Sequence, residues 1–177
     1  MTEPLIPRPG PDEYDPYYQP YLDRVPDGNV IELLEYQIGD TLGLLGGLRE
    51  EQAGFRYEPE KWSIREVIGH LADVERVLTY RAFRFSRADQ TPLPGFEEDD
   101  YIAHSNYHER PLLEVFAEFE HARAASLAFY RSLAPEMLTR SGVANQAEMS
   151  VRAVPWVLAG HERHHVAVLQ QRYLARL

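Results

Sequence analysis

Four stretches of this chain repeat apolar residues every three to four positions and none alternates apolar with polar residues, which commits the chain to packed helices. The best marked of them begins at Ser63. Ser63 can cap it, Glu66 stands at the third helical position, and Trp62 is placed to staple onto Val67. Its stripe runs Ile64, Val67, His70 or Leu71, Val74, Val77 or Leu78, Arg81 and Phe85. Upstream, Asn29 and Glu32 resemble a capping box ahead of Ile31, Leu34, Ile38, Leu42, Leu45 and Leu48. Gly39, Gly43, Gly46 and Gly47 weaken that helix by up to ~1 kcal/mol each, a cost offset if their missing side chains admit a neighbouring helix. Gly46-Gly47 equally suits a fraying end. Pro111 opens a third helix through Leu112, Val115, Phe116, Phe119, Ala122, Ser126, Phe129 and Leu133 to a stop near Pro135. A turn at Arg140-Ser141-Gly142-Val143-Ala144-Asn145 then leads to a fourth, with Ser150 as a cap. Pro155 leaves two starts open: it kinks a helix begun at Ser150, or sits in the first turn of one begun later.

In 177 residues this predicts one all-α domain over 29–177, an antiparallel four-helix bundle with a long crossover between its second and third helices. Residues 1–28 hold seven of the thirteen prolines together with Tyr14, Tyr17, Tyr18 and Tyr21. That composition predicts an extended N-terminal arm laid on the bundle rather than a solvated tail. Residues 90–108 carry Leu93-Pro94-Gly95-Phe96 and the acidic run Glu97-Glu98-Asp99-Asp100, which reads as a lid or binding loop, or as a solvated connector. His104 and His108 lack an apolar stripe and are expected at the surface.

The 28 acidic residues against 18 basic ones give a formal charge of -10, with no basic face, so nucleic acid is not an expected partner. No cysteine is present. Disulfides, thiolate metal sites and a protein-borne thiol nucleophile are thereby excluded, and any thiol chemistry must use an external thiol. The Met-Thr-Glu-Pro start and the lack of an apolar run near ~20 residues predict a cytoplasmic protein with no membrane partner.

Three of the seven histidines fall in Gly160-His161-Glu162-Arg163-His164-His165. His161 and His165, four apart, share a helix face with Val154, Leu158, Val168, Leu169 and Tyr173, so they point inward. A buried imidazole needs a partner, which leaves hydrogen-bonded core histidines or metal ligands. His164 is out of step and is expected either behind the ligands or at the rim. His70 lies on or beside the buried face of the second helix, and three imidazoles facing one another with positions left for water would describe an open site suited to zinc or nickel.

The segment from Lys61 to Arg76, the Leu93–Phe96 loop and the Gly160–His165 block resemble the DinB/YfiT-like metalloprotein superfamily. The resemblance implies a four-helix bundle, a homodimer, and one divalent metal per chain on His70, His161 and His165. It also implies either a transferase that adds a bacillithiol- or mycothiol-like low-molecular-weight thiol to an electrophile, or a metal-dependent hydrolase. A metal-binding stress protein without turnover is the third possibility. Asp73, one turn beyond His70, is the candidate catalytic residue: it is placed to accept from a ligand imidazole or to manage a proton, or else to pair with a nearby arginine at the surface. The Phe96 loop and the aromatic arm are expected to close over the acceptor.

Overall fold

Ser63 and Glu66 form the capping box that their spacing predicts: the Ser63 Oγ accepts from the Glu66 N–H, and Glu66 Oε2 accepts from the Ser63 N–H at 2.6 Å. The computed structural model describes residues 6–177, so residues 1–5 of the arm lie outside the described residues. In chain order the helices are α1 (Gln19–Leu22), α2 (Val30–Leu45), α3 (Glu50–Ala53), α4 (Ile64–Ser86), α5 (Glu98–His104), α6 (Leu112–Arg131) and α7 (Ala153–Val168). The four long ones, α2, α4, α6 and α7, make the bundle, and no helix among the described residues is long and apolar enough to cross a membrane.

Both α2 and α4 pack on α6 and α7, so α2 stands diagonal to α4 and α6 diagonal to α7, while α4 and α6 are neighbours. Side-chain partners give the directions. Along α4, Arg65, Glu75 and Thr79 reach Arg110, Arg123 and Ser126 in turn, so α6 runs parallel to α4, and the crossover between them returns the chain to the starting end. Gln37 and Thr41 reach Ala159 and Glu162 in the same sense, so α2 and α7 are parallel as well. The other neighbouring pairs are antiparallel: Tyr173, just past α7, donates to the Trp62 carbonyl ahead of α4, at 2.8 Å.

Two apolar clusters fill the interior. One gathers Leu34, Phe85, Tyr130 and Trp156, the other Leu45, Phe116, Phe119 and Tyr173. Each such side chain contributes about 1.5–3 kcal/mol on burial. Gln37, Thr41, Arg123, His161 and Glu162, all buried, fall between the two clusters along their helices, and Glu75, buried next to Val74, meets them through Arg123. The bundle therefore has a polar layer across its middle.

Several local expectations are corrected. Gly39, Gly43 and Gly47 face open space, since a Cβ at any of them would meet nothing within 4 Å, so they do not mark a helix contact; Gly46 instead ends α2. The 140–150 region is not a turn feeding a helix but a hairpin, β1 (Ser141–Ala144) and β2 (Ala147–Ser150), antiparallel with Val143 opposite Glu148. Asn145 and Gln146 occupy the left-handed region at φ 51° and 65°, as a tight two-residue hairpin turn requires. Four-residue strands are too short to show an alternating pattern. Ser150 Oγ still accepts from the Ala153 N–H, but α7 begins at Ala153, which puts Pro155 third, where its missing N–H has no intrahelical partner to lose.

The arm is not simply extended, because it folds into α1 before reaching α2. Ile6, Tyr14, Leu22 and Val25 are buried, the Trp156 Nε1–H donates to the Ile6 carbonyl at 3.3 Å, and Arg8 lies 4.5 Å over the Trp156 ring. Close approach is possible because residue 160 is glycine: a Cβ there would lie 2.1 Å from the Tyr21 carbonyl oxygen. The 90–108 link is ordered by the hairpin, with Leu93 N–H donating to Val143 O at 2.9 Å, and it carries α5, whose acidic first turn suits a helix N-terminus.

Candidate metal centre

The cap at Ser63 sets the phase of α4, so His70, two turns in, faces the bundle interior at 2% exposure. From α7, His161 at 6% exposure and His165 one turn later aim at the same point. His70 Nε2 stands 3.0 Å from His161 Nε2, and His165 Nε2 stands 3.1 Å from the same atom. A neutral imidazole nitrogen carries either one hydrogen or one lone pair, so His161 Nε2 cannot satisfy both neighbours with good hydrogen bonds. Zinc–imidazole bonds of about 2.0–2.1 Å in tetrahedral geometry would separate ligating nitrogens by roughly 3.3 Å, close to the spacing here. Ligand atoms of His70, His161 and His165 all lie within 4.8 Å of one another. The donor set fits a divalent cation.

Burial pushes the His70 pKa down to about 4. His161 and His165 are held well below the usual imidazole value, by burial first and by neighbouring imidazoles second. All three are neutral near pH 7, the protonation state in which imidazole ligates a metal. Trp62 shields the cluster, its ring 4.7 Å from His70 and stacked 6.4 Å from His165. Tyr21 of α1 meets His161 and His164 edge-on at 5.4 Å each, so His164 takes a place at the rim. A cavity of about 370 Å³ reaches His165 between Trp62, Tyr57 and Tyr173, with Lys61, Asp99 and Arg172 on its walls.

Asp73 is not brought to the imidazoles. Its carboxylate accepts from the Tyr107 hydroxyl at 2.8 Å and faces Arg76 at 3.5 Å, the pairing with a nearby arginine that its spacing also allowed. His104 and His108 are exposed. Phe96 does not close over the cluster either; it packs on Tyr101 and under Arg81, beside a different cavity.

One assembly went unrecognised in the sequence. Arg123, 2% exposed, donates to both oxygens of Glu75 and to Glu162, each at 3.0 Å, and to the Leu34 carbonyl at 2.8 Å. Glu162 also accepts from Gln37 and Thr41. The signal was available: Arg123 follows Phe119 by four and precedes Ser126 by three, which puts a charge on the apolar stripe.

The sequence profile of the DinB superfamily matches residues 33–169, which include all three histidines. The chain belongs to the DinB superfamily. A protein of Oceanobacillus iheyensis named as a putative metal-dependent hydrolase is 27% identical over 139 residues, covering 77% of this chain and 78% of that one. YfiT from Bacillus subtilis, described as a probable metal-dependent hydrolase with an unusual four-helix bundle topology, superposes with a TM-score of 0.72 at 17% identity, over 80% and 82% of the two chains. A mycothiol-dependent maleylpyruvate isomerase superposes at 0.66 with 14% identity, over 82% of this chain and 61% of that one. At these identities the two superpositions establish the fold of this DinB member.

Proposed function

We propose that the protein is a metal-dependent enzyme that activates a small external thiol and adds it to an electrophilic substrate. The carrying observation is where the carboxylates go: Glu75 and Glu162 are held by Arg123, and Asp73 by Tyr107 and Arg76, so none of them joins the imidazole cluster. Hydrolysis wants a placed base beside the attacked carbonyl, whereas an ionised thiol is already a nucleophile. Zinc or nickel, held by His70, His161 and His165, would supply Lewis acidity that lowers the pKa of a coordinated thiol or water. The chain itself holds that ion in place, lets Trp62 and Tyr21 cover two sides of it, and leaves the cavity at His165 as the approach for substrates. A homodimer accompanies this reading, with Tyr36, 70% exposed beside the uncovered Gly39 and Gly43, as the face to be covered.

The second reading is a hydrolase, favoured by Asp99 and His164 on the wall of the same cavity and by the names of the relatives. Incubation of metal-loaded protein with low-molecular-weight thiols and a chlorodinitrobenzene separates the two. Metal-dependent conjugation that disappears in His165→Ala is the expected result. Turnover of ester substrates with no thiol present, and no conjugation, would replace transfer by hydrolysis.

A further inference from the structure

A cavity of about 250 Å³ opens where the arm, α4, the start of α5 and the hairpin meet, and Arg81, 4% exposed, lines it. A buried guanidinium without a counter-charge is costly. The other arginines buried to this degree have one: Arg123 pairs with Glu75 and Glu162, and Arg65 pairs with Glu50 at 2.9 Å. Arg81 forms no ion pair among the described residues. It donates to the Pro94 carbonyl at 3.1 Å, stands 5.9 Å over the Phe96 ring and lies near the Tyr18 hydroxyl. Asp15, Glu97 and Glu98 line the same cavity, yet each stays outside ion-pair reach of Arg81, and one Asp15 oxygen already accepts from the Tyr17 N–H.

We propose that this cavity binds a small α-amino acid, with its carboxylate on Arg81 and its ammonium among Glu97, Glu98 and Asp15. A simple anion would meet three carboxylates, and a simple amine would meet Arg81. A molecule carrying both charges gives Arg81 a carboxylate, offers the acids an ammonium with three N–H donors, and fills the gap that keeps Arg81 from them. Size agrees: at roughly 30 Å³ per water, the cavity has the room of about eight waters, enough for a small amino acid. Tyr17, Tyr18 and Phe96 offer flat surface to the ligand's side chain. The site shares no residue with the imidazole cluster, and a ligand there would tie the arm to the hairpin.

The test is calorimetric titration of the full chain with the small α-amino acids, with ethanolamine as the amine alone and lactate as the carboxylate alone. Saturable binding of at least one amino acid, without binding of ethanolamine or lactate, is expected. Arg81→Gln and Glu98→Gln should each weaken it by roughly tenfold or more, as the loss of one charge-assisted hydrogen bond implies. Should Arg81→Gln fail to fold, Glu98→Gln alone decides, because that residue is exposed. Equal binding of either single-charge analogue, unchanged affinity in Glu98→Gln, or no amino acid bound would each overturn the proposal. His165→Ala should bind as the parent does; loss there would place the ligand at the imidazoles instead.

Discussion

Replacing Arg123 by methionine tests the polar layer most directly. The guanidinium donates four hydrogen bonds: Nε to Glu75 Oε1, Nη2 to Glu75 Oε2 and Glu162 Oε2, all at 3.0 Å, and Nη1 to the Leu34 carbonyl at 2.8 Å. Arg123→Met keeps most of the stem's volume, so the cavity contribution is small, but it leaves two carboxylates at 1% exposure with no counter-charge. Removing one partner of a buried ion pair costs about 3–5 kcal/mol. Against a typical total of about 5–15 kcal/mol, that is a large part of the stability. Urea denaturation followed by circular dichroism at pH 7 should show a lower midpoint with an unchanged slope. Adding Glu75→Gln and Glu162→Gln to the same chain removes the uncompensated charge and should restore at least half of the loss. A loss below about 1 kcal/mol in Arg123→Met, or a triple variant no more stable than the single one, would show that the charges are not buried and coupled as described.

Other perturbations separate the remaining assignments. Elemental analysis should find that His70→Ala, His161→Ala and His165→Ala each lose most of the bound metal while His164→Ala and Asp73→Asn keep it; stoichiometric metal in His161→Ala refutes the ligand set. The Arg152 hydrogen bond pulls the Glu13 pKa from 4.5 down to about 2. Because the folded value lies below the unfolded one, that contact's stabilisation, on the order of 1 kcal/mol after solvent screening, is complete above about pH 4.5 and lost as the pH falls toward 2. Pepsin should therefore release the arm more readily at pH 2 than at pH 4, and Arg152→Ala should abolish the difference. Gly160→Ala sets a Cβ 2.1 Å from the Tyr21 carbonyl, so despite the better helix propensity of alanine it should destabilise the protein by about 1–3 kcal/mol and expose the arm to proteases. Unchanged arm protection in that variant would mean α1 does not seat on α7.

What could be read in the sequence was whatever local chemistry decides. Ser63 and Glu66 fix a helix start between themselves, and the four-residue spacing of His161 and His165 fixes a shared face, so both were legible without knowledge of the rest of the chain. His70 was legible as a buried position, and the fold alone brings it to 3.0 Å from His161. The hairpin was hidden because its strands are four residues long and its stability comes from Leu93 and Phe85, which are distant in sequence. Gly39 carries a close-packing signal in the sequence and Gly160 carries none. Only the path of the arm decides that Gly160 has a neighbour and Gly39 has none.

The ion network and the imidazole cluster specify the same placement of α7. Successive residues on a helix are about 100° apart, so His161 and Glu162 face different neighbours: His161 faces His70 of α4, and Glu162 faces Arg123, Gln37 and Thr41. A one-residue rotation that brought Glu162 to the place of His161 would bring Arg163 to the place of Glu162, setting guanidinium against guanidinium at Arg123. Arg123 thus excludes the alternative register while withholding Glu162 from the metal position. Both effects leave three neutral nitrogen donors and no protein carboxylate at the cluster, so a divalent cation held there would keep its full positive charge toward an incoming ligand.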